Sequence, residues 1–348
     1  MKVCVLTAYS SGEKNPNNFQ ASWVRESAAL DPFKVHQLTD DPDKADIVLF
    51  VENHPENDPL FFRVAHHPSW RKGCSFLYHD NDYAYPFLPG LYPSLLRSHQ
   101  RASRCVGASY VGRIERNDDV RYEPLSNNAP LLFSFMGSVN CGVRARICAL
   151  KNDGAFIRNT TGENLWSLSH TKRARYTAAY GEALRNSRFV LCPRGLGPST
   201  YRLFETMEAG RVPVILADQW VEPSGPNWAE FSIRISEKDV ERVPQILAER
   251  RDEALAMSLA ARAAWETWFS KPVTFHWLTE ACRSVMEGRT KTNVVSEALY
   301  SASLAGTNPR LLLRFLKRTI RHRLKPDSKK RPFEKSFEQV DQARPPVI

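Results

Sequence analysis

The residues with the most chemistry to offer lie in one short run, Pro193-Arg194-Gly195-Leu196-Gly197-Pro198-Ser199-Thr200-Tyr201-Arg202-Leu203-Phe204-Glu205. An apolar stretch precedes it (189–192) and a second one follows (212–216), so the whole reads as strand, glycine-bearing loop, helix, tight turn, strand. Gly195 and Gly197 allow the backbone to come close to a ligand. Ser199 suits an N-cap, and with Thr200 it would open a helix whose first N–H groups lack intrahelical partners. Such an end favours anions, phosphates above all. Arg194 and Arg202 flank it and could hold phosphate oxygens bidentately. Glu205 follows Arg202 by three residues, one turn into the helix, where a carboxylate could accept two sugar hydroxyls. The loop would then hold a diphosphate and Glu205 a ribose. The same residues also suit a loop that only caps a helix, with Glu205 paired to an arginine, and local features leave both readings open.

Further candidates lie upstream. Leu132-Phe133-Ser134-Phe135-Met136-Gly137-Ser138 reads as a strand running into a turn at Gly137, and the helix that follows carries Arg144. Arg144 would be a third cation for a phosphate if that face looks into a cleft, and a surface arginine if it does not. Proton-transfer candidates sit where predicted strands end, which is where open α/β sheets place ligands. They are Glu52, followed by Asn53-His54, and His79, Asp80 and Asp82. A carboxylate beside a histidine would make a general base, but strand-end polar residues also cap loops. Asp80-Asn81-Asp82 is moreover an Asp-x-Asp after an apolar strand, the arrangement in which metal-dependent (GT-A) glycosyltransferases hold Mn²⁺ or Mg²⁺ on donor phosphates.

Two series of strands and helices would position these residues. Residues 1–7, 46–52 and 74–78 read as buried strands, and residues 18–30 have helical composition. Continuous apolar runs of this kind suit a parallel sheet covered on both faces. A polar connection follows near 115–130. Beyond it strands are expected at 131–136, 155–158, 188–192, 212–216 and 231–235, with helices from 144, over 172–185 and 200–209, and from 239 to 286. The expected organisation is α/β: an acceptor domain over 1–126, a donor domain over 127–290, and a basic helix with a polar tail over 291–348.

The run from Phe189 to Ile215 resembles the C-terminal motif of the exostosin family. The residues that carry the likeness are Pro193-Arg194-Gly195, Arg202-x2-Glu205 and Glu205-x4-Gly210-x-Val212-Pro213-Val214. It continues more weakly through Asp218, Pro223, Trp228 and Phe231, and Leu132–Ser138 with Arg144 resembles a second family segment. The likeness is specific over 131–247 and looser before it. The Glu-x4-Gly-x-Val-Pro-Val portion is also similar to the donor motif of glycosyltransferases built from two Rossmann-like domains facing across a cleft (GT-B). There the glutamate binds the donor ribose, a role that falls on Glu205. The resemblance implies an inverting enzyme that moves a sugar from a nucleoside diphosphate sugar, a UDP-sugar foremost, to a glycan or lipid-linked saccharide. Gly137, Arg144, Arg194, Gly195, Ser199, Thr200, Arg202 and Glu205 would bind the donor, Glu52, Asp80 or Asp82 would act as base, and arginines would stand in for a metal, with no cofactor. The rival readings are the metal-dependent Asp-x-Asp enzyme and a non-catalytic protein that binds nucleotides or membranes.

Composition narrows the class. The chain has 348 residues, 42% hydrophobic and 25% charged, and a net charge of +10. Residues 310–331 hold ten Lys or Arg against one Asp, so the remainder is close to neutral. Within 310–325, apolar Leu312, Leu313, Phe315, Leu316, Ile320 and Leu324 recur near helical spacing among the cations. Such a helix suits an anionic membrane surface, or packs on the body through its leucines. Few aromatics accompany it, which argues against nucleic acid. The seven cysteines form no Cys-x2-Cys pair, and no run reaches the ~18–20 apolar residues needed to span a bilayer. A cytoplasmic protein, peripheral to a membrane through 310–325, is the expectation.

Overall fold

The computed structural model describes residues 1–9, 15–53, 58, 60–82, 84–112, 116–163, 168–290, 300, 302–304, 306, 313 and 317. The expected basic helix over 310–325, the tail behind it and His54 lie, but for two isolated positions, outside the described residues.

The first sheet contains β1 (Lys2–Leu6), β2 (Gln37–Leu38), β3 (Ile47–Glu52), β4 (Ser75–His79), β5 (Gly90–Tyr92) and β6 (Cys105–Gly107). Its order is β2-β1-β3-β4-β5-β6, and every pairing is parallel. All six residues of β3 and all five of β4 are buried, as a strand covered on both faces requires. Between the strands run α1 (Pro16–Leu30) and the single turn α2 (Phe62–Ala65). Asn15 starts α1: its side chain accepts a hydrogen bond of 2.8 Å from the Asn17 amide, and Pro16 takes the first helical position, where a missing N–H costs nothing.

The second sheet contains β7 (Leu131–Gly137), β8 (Ala155–Asn159), β9 (Ser187–Pro193), β10 (Val212–Leu216) and β11 (Ile233–Arg234), in the order β11-β10-β9-β7-β8, again all parallel. Its helices are α3 (Gly142–Cys148), α4 (His170–Arg185), α5 (Tyr201–Glu208), α6 (Trp228–Phe231), α7 (Val243–Glu249) and α8 (Ala254–Trp268). Two separate parallel α/β sheets facing across a cleft are the GT-B architecture that the sequence implied.

The last long helix, α9 (Lys271–Thr290), departs from the expected division. Its Phe275, Leu278, Cys282 and Val285 pack into the core of the first sheet with Val3, Val24, Leu49 and Phe76, and Phe275 N donates to Ser27 Oγ on α1 at 2.8 Å. The chain therefore crosses back after α8, so the second domain ends before Lys271 and not at 290. Periodicity shows that a helix is amphipathic, not which core receives its apolar face.

Strand ends of the two domains are tied on one side of the cleft. Leu96 bridges Trp220, Arg97 N donates to Gln219 O at 2.8 Å, Val221 N to Leu95 O at 3.1 Å, and Trp220 Nε1 to Pro93 O at 2.9 Å. Arg211, 2% exposed, ties the second domain to the connection that leads into it. Its guanidinium donates to the carbonyls of Arg185, Glu123, Ala209 and Gly210, closing the C-terminal ends of α4 and α5, where carbonyls lack partners. Burial lowers its pKa to about 10. Gly210 adopts φ +68 at this turn, and a Cβ there would lie 2.6 Å from the Tyr122 ring, so this position requires glycine. Among the described residues no helix is long and apolar enough to cross a membrane.

Candidate functional site

A cavity of about 550 Å³ opens in the cleft where β7, the loop after β9 and the start of α5 converge, and Gly195, Ser199, Thr200, Arg202, Glu205 and Arg144 line it. The parallel sheet explains the convergence: β7 and β9 are neighbours, so the loops at their C-terminal ends meet at one edge of the cleft.

Arg202 and Arg144 dominate its electrostatics. Both are 9% exposed. Arg202 lies over the Phe135 ring at 4.8 Å and donates from Nη2 to Met136 O. Its Nε and Nη1 are buried and find no hydrogen-bond partner among the described residues. Arg144 donates from Nε to Arg194 O at 2.9 Å and from Nη1 to Ser138 O at 3.1 Å. Burial, and next the charge of Arg202, lower its pKa to about 10. Two neighbouring buried guanidiniums bonded to neutral carbonyls make a strongly cationic site, which favours an anionic ligand. Gly137 allows the arrangement, because a Cβ there would sit 2.7 Å from Arg202 Nη2. Gly195 likewise approaches Arg144, with 3.1 Å from its would-be Cβ to Nη2.

Glu205 sits one turn into α5 at the other end of the cavity, and its Oε2 accepts the Tyr180 hydroxyl at 2.6 Å. The helix begins one residue later than the sequence suggests: the N-cap is Thr200, extended at φ −153 and ψ 138, with no side-chain cap bond. Ser199 is instead buried on the approach to the helix.

Arg194 is placed differently from its expected role. Its guanidinium pairs with Glu237, Nε to Oε2 at 2.8 Å, and it lines an adjoining cavity rather than the one shared by Arg144 and Arg202. What Arg194 gives the first cavity is its carbonyl, which holds the Arg144 guanidinium. The local pattern shows an arginine beside a glycine loop; the partner that turns its side chain away, Glu237, comes 43 residues later.

The base candidates separate as well. Glu52 is fully buried and accepts from the Thr7 hydroxyl at 2.9 Å and from the Ala8 amide. It holds the end of β1 inside the first domain and lies outside both cleft cavities. His79 is buried against Phe61 and Tyr92, and burial lowers its pKa to about 4. Asp80 Oδ2 accepts from Gln20 Nε2 at 2.6 Å and from the Tyr201 hydroxyl at 2.9 Å, the latter across the domains. Asp82 alone of these lines the cavity with Arg144 and Arg202. Its side chain reaches solvent, yet burial pushes its carboxyl above the ordinary carboxylate range, against the pull of the Gly197 amide and the Arg144 charge.

Sequence reasoning missed the wall formed by Arg173, Tyr176 and Tyr180 on α4, and Tyr110 and Asn117 from the connection between the domains. A signal exists for the first group: Arg173, Tyr176, Thr177 and Tyr180 recur at helical spacing on one face. Tyr110 stacks on Tyr201 at 3.8 Å between ring centroids, a contact that only the tertiary fold creates.

This geometry lies within a segment that comparison with known proteins delimits. Residues 94–249 match the family described as the Exostosin GT47 domain. Over that segment the chain is similar to the exostosin family. The exostosin-like segment runs from Ser94, ahead of β6, to the end of α7 and so includes Gly137, Arg144, Arg202 and Glu205. The chain is 30% identical over 148 residues to the Exostosin-1 homolog of Caenorhabditis elegans, covering 38% of each protein. It is 40% identical over 75 residues to a probable glucuronosyltransferase of Oryza sativa subsp. japonica, covering 21% of this chain and 18% of that one. The chain thus spans 38% or less of the length of these relatives. Among solved structures, HepE of Anabaena in complex with UDP superposes with a TM-score of 0.36 at 10% identity, over 82% of this chain and 100% of that one.

Proposed function

We propose that this exostosin-like protein is a glycosyltransferase that binds a nucleoside diphosphate sugar in the 550 Å³ cavity and transfers the sugar to a glycan or lipid-linked saccharide. The observation that carries this reading is the pair Arg144 and Arg202, buried side by side with unpartnered N–H groups on Arg202, one helical turn from Glu205. The diphosphate would accept from the Arg144 and Arg202 guanidiniums, and Glu205 would accept the ribose hydroxyls. UDP is the donor nucleotide we favour.

The reaction follows from the same residues. As the bond between the sugar and the diphosphate lengthens, negative charge grows on the leaving oxygen beside Arg144 and Arg202. Fixed cations in a partly desolvated site stabilise that charge most where it develops. Asp82 stands across the cavity as the general base. It would take the acceptor hydroxyl proton while the oxygen attacks the anomeric carbon from the face opposite the leaving group, giving inversion. Its raised pKa makes it a stronger base than an ordinary aspartate. The arginines supply the charge that a metal supplies elsewhere, so activity without added metal is part of the proposal. The segment 310–325 would bring the enzyme to an anionic membrane surface.

The test is release of nucleoside diphosphate from UDP-sugars and GDP-sugars, with and without EDTA and with Asp82→Asn. The proposal expects turnover that survives EDTA and falls at least a hundredfold in the variant, a general base contributing about 10²–10⁴. Full activity in Asp82→Asn, or complete loss in EDTA, would count against this mechanism.

A further inference from the structure

A second cavity, of about 710 Å³, lies beside the nucleotide cavity on the far side of the loop at 195–198, and Asp82 and Leu196 line both. We infer that this second cavity takes the acceptor, and that its walls select an uncharged saccharide over an acidic one. The inference rests on the nucleotide reading of the first cavity and goes beyond it, because that reading leaves the acceptor's chemistry open.

Position is the first argument. A displacement needs the attacking hydroxyl and the departing diphosphate on opposite sides of the transferred sugar, with the base at the junction. Asp82 stands at that junction, and the Gly197 backbone packs so close that a Cβ there would lie 2.5 Å from Asp82 O. The loop that separates the cavities is thus held against the base.

The wall is the second argument. Ser94, Ser98 and Tyr85 contribute hydroxyls, the half-buried Tyr85 and the 52% exposed Leu196 offer apolar surface for a sugar ring, and Asp82, Asp218 and Glu237 contribute carboxylates. Carboxylates and hydroxyls accept and share the hydroxyl protons of a sugar. Arg194 offsets Glu237, leaving two negative charges on the wall. An incoming uronate would meet like charge at short range, and like charges juxtaposed in an interface select against the wrong partner.

His99 is the third and independent argument. It lines this cavity at 6% exposure. Burial lowers its pKa, and one ring N–H is held by the Ala84 carbonyl. Its Nδ1 finds no hydrogen-bond partner among the described residues. A neutral ring places no cation on this wall to offset its carboxylates or to attract an acidic sugar.

The experiment is saturation-transfer NMR on the full chain with UDP present. The probes are xylotriose, cellotriose and galactotriose, with trigalacturonate as the acidic counterpart. Ser98 is exposed on the cavity wall, so Ser98→Trp fills the cavity without disturbing the core, and Asp218→Lys reverses a wall charge as a second variant. The inference expects saturation of at least one neutral trisaccharide and none of trigalacturonate, loss of the neutral signal in Ser98→Trp, and gain of the acidic one in Asp218→Lys. UDP affinity, measured in parallel, should stay within about twofold in both variants. Binding of no neutral trisaccharide, equal binding of trigalacturonate, or an unchanged neutral signal in Ser98→Trp would overturn it. Failure of UDP to bind the parent chain would instead strike the nucleotide reading, so the two failures are distinguishable.

Discussion

Tyr201 and Asp80 stand 121 residues apart in the chain and 2.9 Å apart in the molecule, the hydroxyl on α5 donating to the carboxylate that follows β4. This bond joins the two domains one residue before Arg202. In Tyr201→Phe the ring still stacks on Tyr110, and Asp80 keeps Gln20. A hydrogen bond to a charged group contributes about 1.5–3 kcal/mol. The expected result is a fall of a few degrees in the thermal midpoint, with UDP affinity changed less than threefold, checked by scanning calorimetry and titration.

Gly137→Ala tests whether the position of Arg202, not merely its charge, matters. The new methyl would lie 2.7 Å from Nη2 and push the guanidinium away from Met136 O. The obstructed atom ends a flexible side chain, so the fold should persist. Diphosphate affinity should fall roughly tenfold, equivalent to about 1.4 kcal/mol, while uridine, which lacks phosphates, should show no change.

Asp82 gives a pH prediction with a definite sign. Its folded pKa is raised, so the folded state holds this proton more tightly than the unfolded chain does. Its contribution favours folding below the ordinary aspartate range and is lost as pH rises through the raised value. Asp82→Asn should therefore be at least as stable as the parent at neutral pH, the gap closing in acid. The acid limb of kcat/KM should lie above the ordinary aspartate value and disappear in the variant. Thermal melts and rate profiles against pH check both.

Glu205 is held by Tyr180, and the ribose role predicts a selective loss. Glu205→Ala should weaken UDP about ten- to a hundredfold, about 1.4–2.7 kcal/mol. Inorganic pyrophosphate, which has no ribose, should bind it as well as it binds the parent. Tyr180→Phe should fall between the two. Competition titrations distinguish these outcomes.

Much of the scaffold is readable from the residues alone, for a physical reason. β3, β4, β9 and β10 are continuous apolar runs, and such runs in a chain this long become parallel strands with helices on both faces. Gly210 and Pro213 likewise mark the helix end and the next strand. Short strands such as β2 and β5, of two and three residues, carry too little pattern to be seen. The site is only partly readable. Arg144, Arg202 and Glu205 meet in one cavity because they follow adjacent strands. Arg194 turns away to Glu237, and Glu52 turns inward to Thr7. Which way a polar side chain faces depends on partners far along the chain, and spacing holds no record of them.

The decisive measurement is calorimetric titration of UDP and GDP into the full chain and its Arg202→Ala variant. A buried guanidinium with unpartnered N–H groups beside a second arginine predicts that at least one nucleotide binds the parent. It also predicts that removing Arg202 weakens that nucleotide ten- to a hundredfold, as loss of a charge-assisted contact of about 1.5–3 kcal/mol would. If neither nucleotide binds the parent, or if the variant binds as tightly, the cavity does not hold a diphosphate and the account is wrong.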